Sequence, residues 1–109
     1  MKQTVAHDLS MDLARLAARA ALKHFKERFP HAHITPQWLS PDEAIISFAI
    51  RGFHLTPRIH LRPGAIQVEM DIPFLARPFE TKARARIERE LAFWIEKARR
   101  GELNEAPTA

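Results

Sequence analysis

Six histidines are the most versatile chemical groups in this chain of 109 residues. His31 and His33 would share one face of a strand, and His54 and His60 would share one face of another. A metal site needs three or four ligands that converge on one point, together with residues that orient them. None of these spacings predicts such convergence. We therefore expect surface histidines, with no metal and no other cofactor.

Acid–base catalysis is a second chemistry that these side chains could support. His54 and His60 would act with Glu69 and Asp71, which alternation places on the same polar face of a sheet. Such catalysis needs a pocket that removes a carboxylate from water. The pattern instead predicts ordinary polar pairs across neighbouring strands. An enzyme that uses these four residues is therefore the least favoured of three hypotheses.

Nucleophilic and nucleotide-dependent catalysis are disfavoured by composition. The chain has no Cys, no Gly-x-Ser-x-Gly sequence and only three Gly. Thiol nucleophiles, zinc–thiolate sites and a serine elbow are thereby excluded. A glycine-rich phosphate loop is excluded as well. We expect no catalytic residue and a protein that is not an enzyme.

Alternating apolar residues predict four strands, over residues 33–39, 43–50, 53–62 and 66–72. Pro36 places the first of them at a sheet edge. Arg51-Gly52 and Pro63-Gly64 are signals for tight turns. With these turns, apolar residues pair with apolar residues on one face. The predicted pairs are Ile50–Phe53, Phe48–Leu55, Ala44–Ile59, Leu61–Ile66, Ile59–Val68 and Leu55–Ile72.

Two amphipathic helices flank the strands, one from Ser10 to Phe29 and one from Pro78 to Arg100. The first has a predicted core stripe of Leu13, Leu16, Ala17, Ala20, Phe25 and Phe29. The second has Phe79, Ala83, Ile87, Leu91, Trp94, Ile95 and Ala98. The predicted fold class is α+β, a four-stranded antiparallel meander with both helices packed on one face, in the order α-β-β-β-β-α. Residues 1–101 would form this single domain, and residues 102–109 a disordered tail.

The formal net charge of +4 comes from the two predicted helices, where acidic residues interleave with the basic ones. This pattern is typical of a solvated helix surface. The sheet also lacks exposed aromatics that could stack on RNA bases. We do not expect a nucleic-acid partner, although a basic nucleic-acid-binding or ribosome-associated module remains the alternative. Without a membrane-length apolar run or a secretion signal, the expected location is the cytoplasm.

Two surfaces are candidates for interaction with a partner. The polar sheet face would present His54, Arg58, His60 and Arg62. Phe74 and Leu75 lie in an apolar turn between two prolines, and Phe93 lies off the main stripe of the last helix. Exposed apolar patches usually mark contact sites. A homodimer through the edge strand or through the polar sheet face is a further possibility.

The order of several short motifs resembles the polyhydroxyalkanoic acid system protein family. Members have a His-x-Leu start before a helix with Ala-Arg, then a Trp, an aromatic residue before a Gly, and a Phe-led helix with Ile-Glu. The matching residues are His7-Asp8-Leu9, Ala14-Arg15, Trp38, Phe48, Gly52, Phe74-Leu75, Phe79 and Ile87-Glu88. The resemblance implies a genetic setting near polyester storage-granule genes. From it we expect a non-catalytic accessory or regulatory protein of polyhydroxyalkanoate granules, with granule-associated proteins or the granule surface as partners.

Overall fold

The computed structural model describes residues 1–103, which form an antiparallel sheet with two α-helices and two short 3₁₀ helices. In chain order the elements are β1 (Lys2–Ala6), α1 (Met11–Arg28), a 3₁₀ helix (Pro30–Ala32), β2 (Thr35–Ser40), β3 (Glu43–Ile50), β4 (Phe53–Leu55), β5 (Arg58–Arg62), β6 (Ala65–Glu69), a second 3₁₀ helix (Phe74–Phe79) and α2 (Glu80–Arg99). The fold class α+β is confirmed. Most of the tail predicted over residues 102–109 lies outside the described residues.

The register of the two central hairpins is confirmed. Observed pairs include Ile50–Phe53, Phe48–Leu55, Ala44–Ile59, Leu61–Ile66 and Ile59–Val68. The sheet order is β1-β6-β5-β3-β2, with β4 also paired to β3. Strand β2, which contains Pro36, therefore lies at an edge, as predicted. The predicted pair Leu55–Ile72 is wrong, because β6 ends at Glu69 and β4 pairs with β3 alone.

The predicted number of four strands is also wrong, and the sheet has six. Strand β1 pairs antiparallel with β6, from Lys2 opposite Glu69 to Ala6 opposite Ala65. Its buried positions are Gln3 and Val5. Only one of these two residues is apolar, so hydrophobic alternation gives almost no signal for this strand.

The third predicted strand, residues 53–62, is divided at Pro57 into β4 and β5. The Ile46 N–H donates to the Pro57 carbonyl at 2.9 Å, as the register on either side requires. Pro57 has no N–H, so it cannot donate the second hydrogen bond that a pair at this position of an antiparallel ladder normally has. The ladder therefore loses one hydrogen bond while its register continues unchanged.

Helix α1 begins at the predicted cap, where Ser10 Oγ accepts a hydrogen bond from the Leu13 N–H at 3.2 Å. Its buried face consists of Ala14, Ala17, Ala18 and Leu22, of which only Ala17 belongs to the predicted stripe. Three of these four are alanines, which allow close approach to α2 and the sheet. In α2, the buried residues Leu91, Ile95 and Ala98 belong to the predicted stripe.

His7 connects the start of α1 to the turn between β5 and β6. Its Nδ1 accepts from the Leu9 N–H, and its Nε2 lies 3.0 Å from the Arg62 carbonyl oxygen. A carbonyl oxygen only accepts, so Nε2 is the donor of this hydrogen bond. The His7 N–H also donates to the Gly64 carbonyl at 2.9 Å. The His-x-Leu motif thus has a structural role.

The core consists of two clusters of buried side chains. The first joins β1, β5 and β6 to both α-helices and contains Val5, Ala18, Leu61, Ile66, Val68, Leu91 and Ile95. The second joins α1, the first 3₁₀ helix and β3, and contains Leu22, Ala32, Ile34, Ala44, Ile46 and Phe48. Helix α2 contributes to the first cluster and not to the second.

Candidate functional site

An apolar cavity of about 450 Å³ lies between the helices and the β3–β4 end of the sheet. Its lining includes Phe25 of α1, Phe48 of β3, Leu55 of β4 and Ile87 of α2. Sites for small molecules in proteins usually have about 300–1,000 Å³ and mostly apolar walls. The cavity therefore has the size and the lining of a ligand site.

The division of the core explains why this space is open. The C-terminal half of α1 covers β3, where the Phe25 and Phe48 rings pack edge to face with centroids 5.5 Å apart. The N-terminal half of α2 lies on the other side of the cavity, with Ala83 and Ile87 in its wall. The first cluster holds α2 to the sheet at Leu91 and Ile95, and the cavity lies between the N-terminal half of α2 and strands β3 and β4.

The exposed lining residues Ile50, Arg51, Phe79 and Lys82 mark the mouth of the cavity. The guanidinium carbon of Arg51 lies 5.5 Å from the centre of the Phe79 ring. The β3–β4 turn and the segment that precedes α2 therefore meet at the mouth. The arrangement combines an apolar interior with cationic side chains at the entrance.

The predicted apolar turn forms an exposed segment, Phe74–Phe79, next to this mouth. Phe74 and Leu75 are 79% and 75% exposed, while Ala76 is buried and helps to line the cavity. Large apolar side chains exposed in this way are typical of contact surfaces. Phe74 and Leu75 remain the predicted interaction residues.

Phe93 lies apart from the Phe74–Phe79 segment. It is about 20 Å along the α2 axis from Glu80, since an α-helix rises about 1.5 Å per residue. Its ring packs edge-on against Trp94, with centroids 5.0 Å apart, and it is 53% exposed. The sequence suggested that Phe93 extends the surface formed by Phe74 and Leu75. In the structure Phe93 lies too far along α2 to do so.

The polar sheet face holds the other four predicted interaction residues. His54, Arg58 and Arg62 are exposed, and His60 is half-buried. Arg58 lies opposite Glu69 and His60 opposite Gln67, as alternation predicts. His60 Nδ1 also lies 3.7 Å from Glu43 Oε2 on β3. These polar residues are spread over several strands and are not gathered at the cavity.

A carboxylate–guanidinium pair fastens α1 to the turn between β2 and β3. Arg15 donates to Asp42 twice, from Nε at 2.7 Å and from Nη2 at 3.2 Å. The hydrogen bond from Arg15 lowers the pKa of the Asp42 carboxyl below its usual value, with burial acting in the opposite direction. The pair positions α1 and takes no part in the cavity.

Several basic side chains of the two helices have partners within the fold. Arg19 covers the Trp38 ring at 4.0 Å, and Arg86 and Arg84 pair with glutamates of α2. Among residues 1–103, no group of three His, Asp or Glu side chains is placed to hold a metal ion. No helix in the described part of the chain is long and apolar enough to cross a membrane.

The cavity is the feature that the sequence does not reveal. Most residues in its wall have the pattern of ordinary core positions, and the sequence contains no motif for a cavity. Arg51 provides a local signal, since φ is +52° there and +82° at Gly52. An Arg is an unusual residue at this position of a two-residue hairpin turn, where Asn or Asp is preferred.

Comparison with protein families supports the resemblance seen in the motifs. A family model described as a putative polyhydroxyalkanoic acid system protein matches residues 2–94. The matched region includes β1, the cavity wall and the Phe74–Phe79 segment. Neither the comparison with curated proteins nor the comparison with solved structures finds a match.

Proposed function

Since the chain belongs to the polyhydroxyalkanoic acid system protein family, we propose that it is a non-catalytic accessory or regulatory protein of polyhydroxyalkanoate granules. It acts in the cytoplasm through contacts with granule-associated proteins or with the polyester surface. The observation that carries this proposal beyond the family is the exposure of Phe74 and Leu75. Among the large apolar side chains of residues 1–103, these two are the most exposed, and they provide an apolar contact surface.

The Phe74–Phe79 segment is well prepared for such a contact. Pro73 and Pro78 restrict its backbone, and the Ala76 N–H donates to the Pro73 carbonyl at 2.8 Å. A segment that is already ordered loses little conformational entropy when it binds. Burial of a Phe or a Leu side chain contributes about 1.5–3 kcal/mol each. Two such side chains are enough to influence whether the protein associates with a granule.

Co-sedimentation with purified granules tests the proposal. We expect the wild-type protein to sediment with the granules and the Phe74→Ser/Leu75→Ser variant to bind at least about tenfold more weakly. Phe93→Ser is the matched control, because it removes an exposed aromatic side chain far from the segment. Thermal unfolding should show that all three proteins are folded.

Two results would count against the proposal. A wild-type protein that stays in the soluble fraction whether or not polymer is made would overturn the granule role. Equal binding by the wild type and the double variant would show that Phe74 and Leu75 do not form the contact. Granules treated with protease distinguish the two kinds of partner, since binding to the polyester surface survives loss of the coat proteins.

Self-association through the edge strand β2 or the polar sheet face remains part of the proposal. Edge strands offer unpaired backbone groups to a second copy. Light scattering at several protein concentrations tests this point, and a monomer throughout would exclude it.

A further inference from the structure

We propose that the apolar cavity binds a single-chain acyl carboxylate, with the hydrocarbon chain inside and the carboxylate at Arg51 and Lys82. This inference goes beyond the granule role and does not depend on it. The granule contact uses Phe74 and Leu75 on the outer surface, whereas the ligand site uses the interior of the same end of the fold.

The interior of the cavity fits a flexible hydrocarbon chain. The volume of about 450 Å³ is bordered by side chains of α1, the sheet and α2, and its wall includes the buried residues Ile46, Val68 and Leu91. The apolar lining faces water through the open side of the cavity. A hydrocarbon chain that fills the space removes both this lining and its own apolar surface from water.

The charges at the cavity select the end group of the ligand. Arg51, Lys82 and Arg86 line the cavity together with Glu80 and Glu90. Both glutamates have arginine partners in α2, since Glu80 lies 3.4 Å from Arg84 and Glu90 lies 3.8 Å from Arg86.

Arg51 and Lys82 differ from these paired residues. Within residues 1–103, neither has a carboxylate oxygen within 4.0 Å. Both are exposed at the mouth. Two cations beside an apolar cavity are complementary to an amphipathic anion, and both side chains donate to carboxylates.

The backbone at Arg51 is a second observation that points to this site. Its φ of +52° lies in the left-handed region, which is unfavourable for Arg and readily adopted by Asn. Unfavourable backbone conformations are concentrated at functional sites, where the side chain is needed. The backbone conformation of Arg51 therefore supports a functional role for its guanidinium group at the mouth of the cavity.

Calorimetric titration with dodecanoate, below the concentration at which it forms micelles, tests the site. We expect saturable binding with one ligand per chain and a higher Tm in the presence of ligand. Affinity should rise roughly tenfold for each two methylene groups from octanoate to dodecanoate. Dodecanol should bind about tenfold more weakly than dodecanoate, because it lacks the charge. No saturable binding of any chain length, or equal affinity for the alcohol and the acid, would overturn the proposal.

Matched variants locate the ligand. Ala83 lines the cavity and Ala85 is exposed on the outside of α2, so Ala83→Phe should abolish binding while Ala85→Phe leaves it unchanged. Arg51→Asn should weaken dodecanoate binding about tenfold and leave dodecanol binding unaltered, whereas Arg62→Asn should change neither. Full dodecanoate affinity in both Ala83→Phe and Arg51→Asn would refute this location.

The two proposals fail separately. Granule binding by a protein that takes up no acyl carboxylate would overturn the ligand site alone. Acyl binding by a protein that never sediments with granules would overturn the granule role alone. The Phe74→Ser/Leu75→Ser variant should retain full dodecanoate affinity, since neither residue lines the cavity.

Discussion

Replacement of Arg51 by Asn should make the fold more stable, although it removes a contact. Arg51 and Gly52 both have positive φ, at +52° and +82°, as a type I′ hairpin turn requires. An L-residue with a bulky side chain loses about 1–2 kcal/mol in this region, and Asn loses less because its side chain forms local hydrogen bonds. The expected gain from the backbone is therefore about 1 kcal/mol.

The lost contact is smaller than this gain. The Arg51 guanidinium carbon lies 5.5 Å from the Phe79 ring centre, and an exposed cation–π contact contributes about 0.5 kcal/mol. The net increase in the free energy of unfolding is then about 0.5 kcal/mol, which corresponds to a rise in Tm of about 2–4 °C for a domain of this size.

Thermal unfolding and urea unfolding, followed by circular dichroism, measure this effect. Arg51→Lys is the control, because it keeps a cation and the unfavourable backbone and should leave the stability nearly unchanged. A lower Tm for Arg51→Asn than for the wild type would refute the reasoning, since it would show that the side-chain contact outweighs the backbone term. Arg51→Asn should also bind dodecanoate more weakly than the wild type. Because this variant should be the more stable protein, its weaker binding cannot be attributed to unfolding.

Two further predictions concern the polar groups that fix α1. His7→Ala should lower the free energy of unfolding by about 2–3 kcal/mol, because a buried ring is lost and the partly buried hydrogen bonds to the Leu9 N–H and the Arg62 carbonyl are lost with it. Asp8→Ala, which removes an exposed ion pair with Arg99, should cost less than about 1 kcal/mol, and equal losses would contradict the role of the ring. Because Arg15 lowers the pKa of Asp42 from its ordinary value of 3.8, the ionised carboxylate stabilises the fold above that value, and this contribution is lost as the pH falls through the lower pKa of the folded state. Urea midpoints should therefore decline more steeply on acidification in the wild type than in Asp42→Asn, and parallel curves would contradict this linkage.

The central hairpins were predictable because two independent constraints agree there. Alternation assigns Phe48, Leu55, Ile59 and Val68 to one face, and the turn lengths allow one register that keeps these residues together. A shift by one residue would have exposed all of them. Pro57 removes one hydrogen bond from this ladder but no apolar contact, and for this reason the predicted register survives the division of the strand.

Strand β1 and most of the buried face of α1 were missed for different reasons. Strand β1 places Gln3 at a buried position, where its Nε2 donates to the Arg84 carbonyl at 2.9 Å, so a long-range polar contact replaces the apolar signal. In α1 the larger side chains Leu13 and Leu16 are only half-buried. Alanines occupy the closest contacts because separation between packed elements, and not hydrophobicity alone, decides which face is buried.

The cavity could not have been predicted, because its wall and the solid core use the same residue types. Whether Ala83 and Ile87 touch β3 or stand away from it depends on how α2 is held at Leu91 and Ile95, about two turns further along the helix. Arg51 is different, since its residue type conflicts with its backbone conformation whatever the tertiary structure. In a sequence that specifies one fold, the local residue preferences, the turn residues and the hydrophobic pattern all favour that fold, except where function requires otherwise. Arg51 departs from this agreement and lies at the cationic mouth of the cavity, so it connects the stability test to the ligand test.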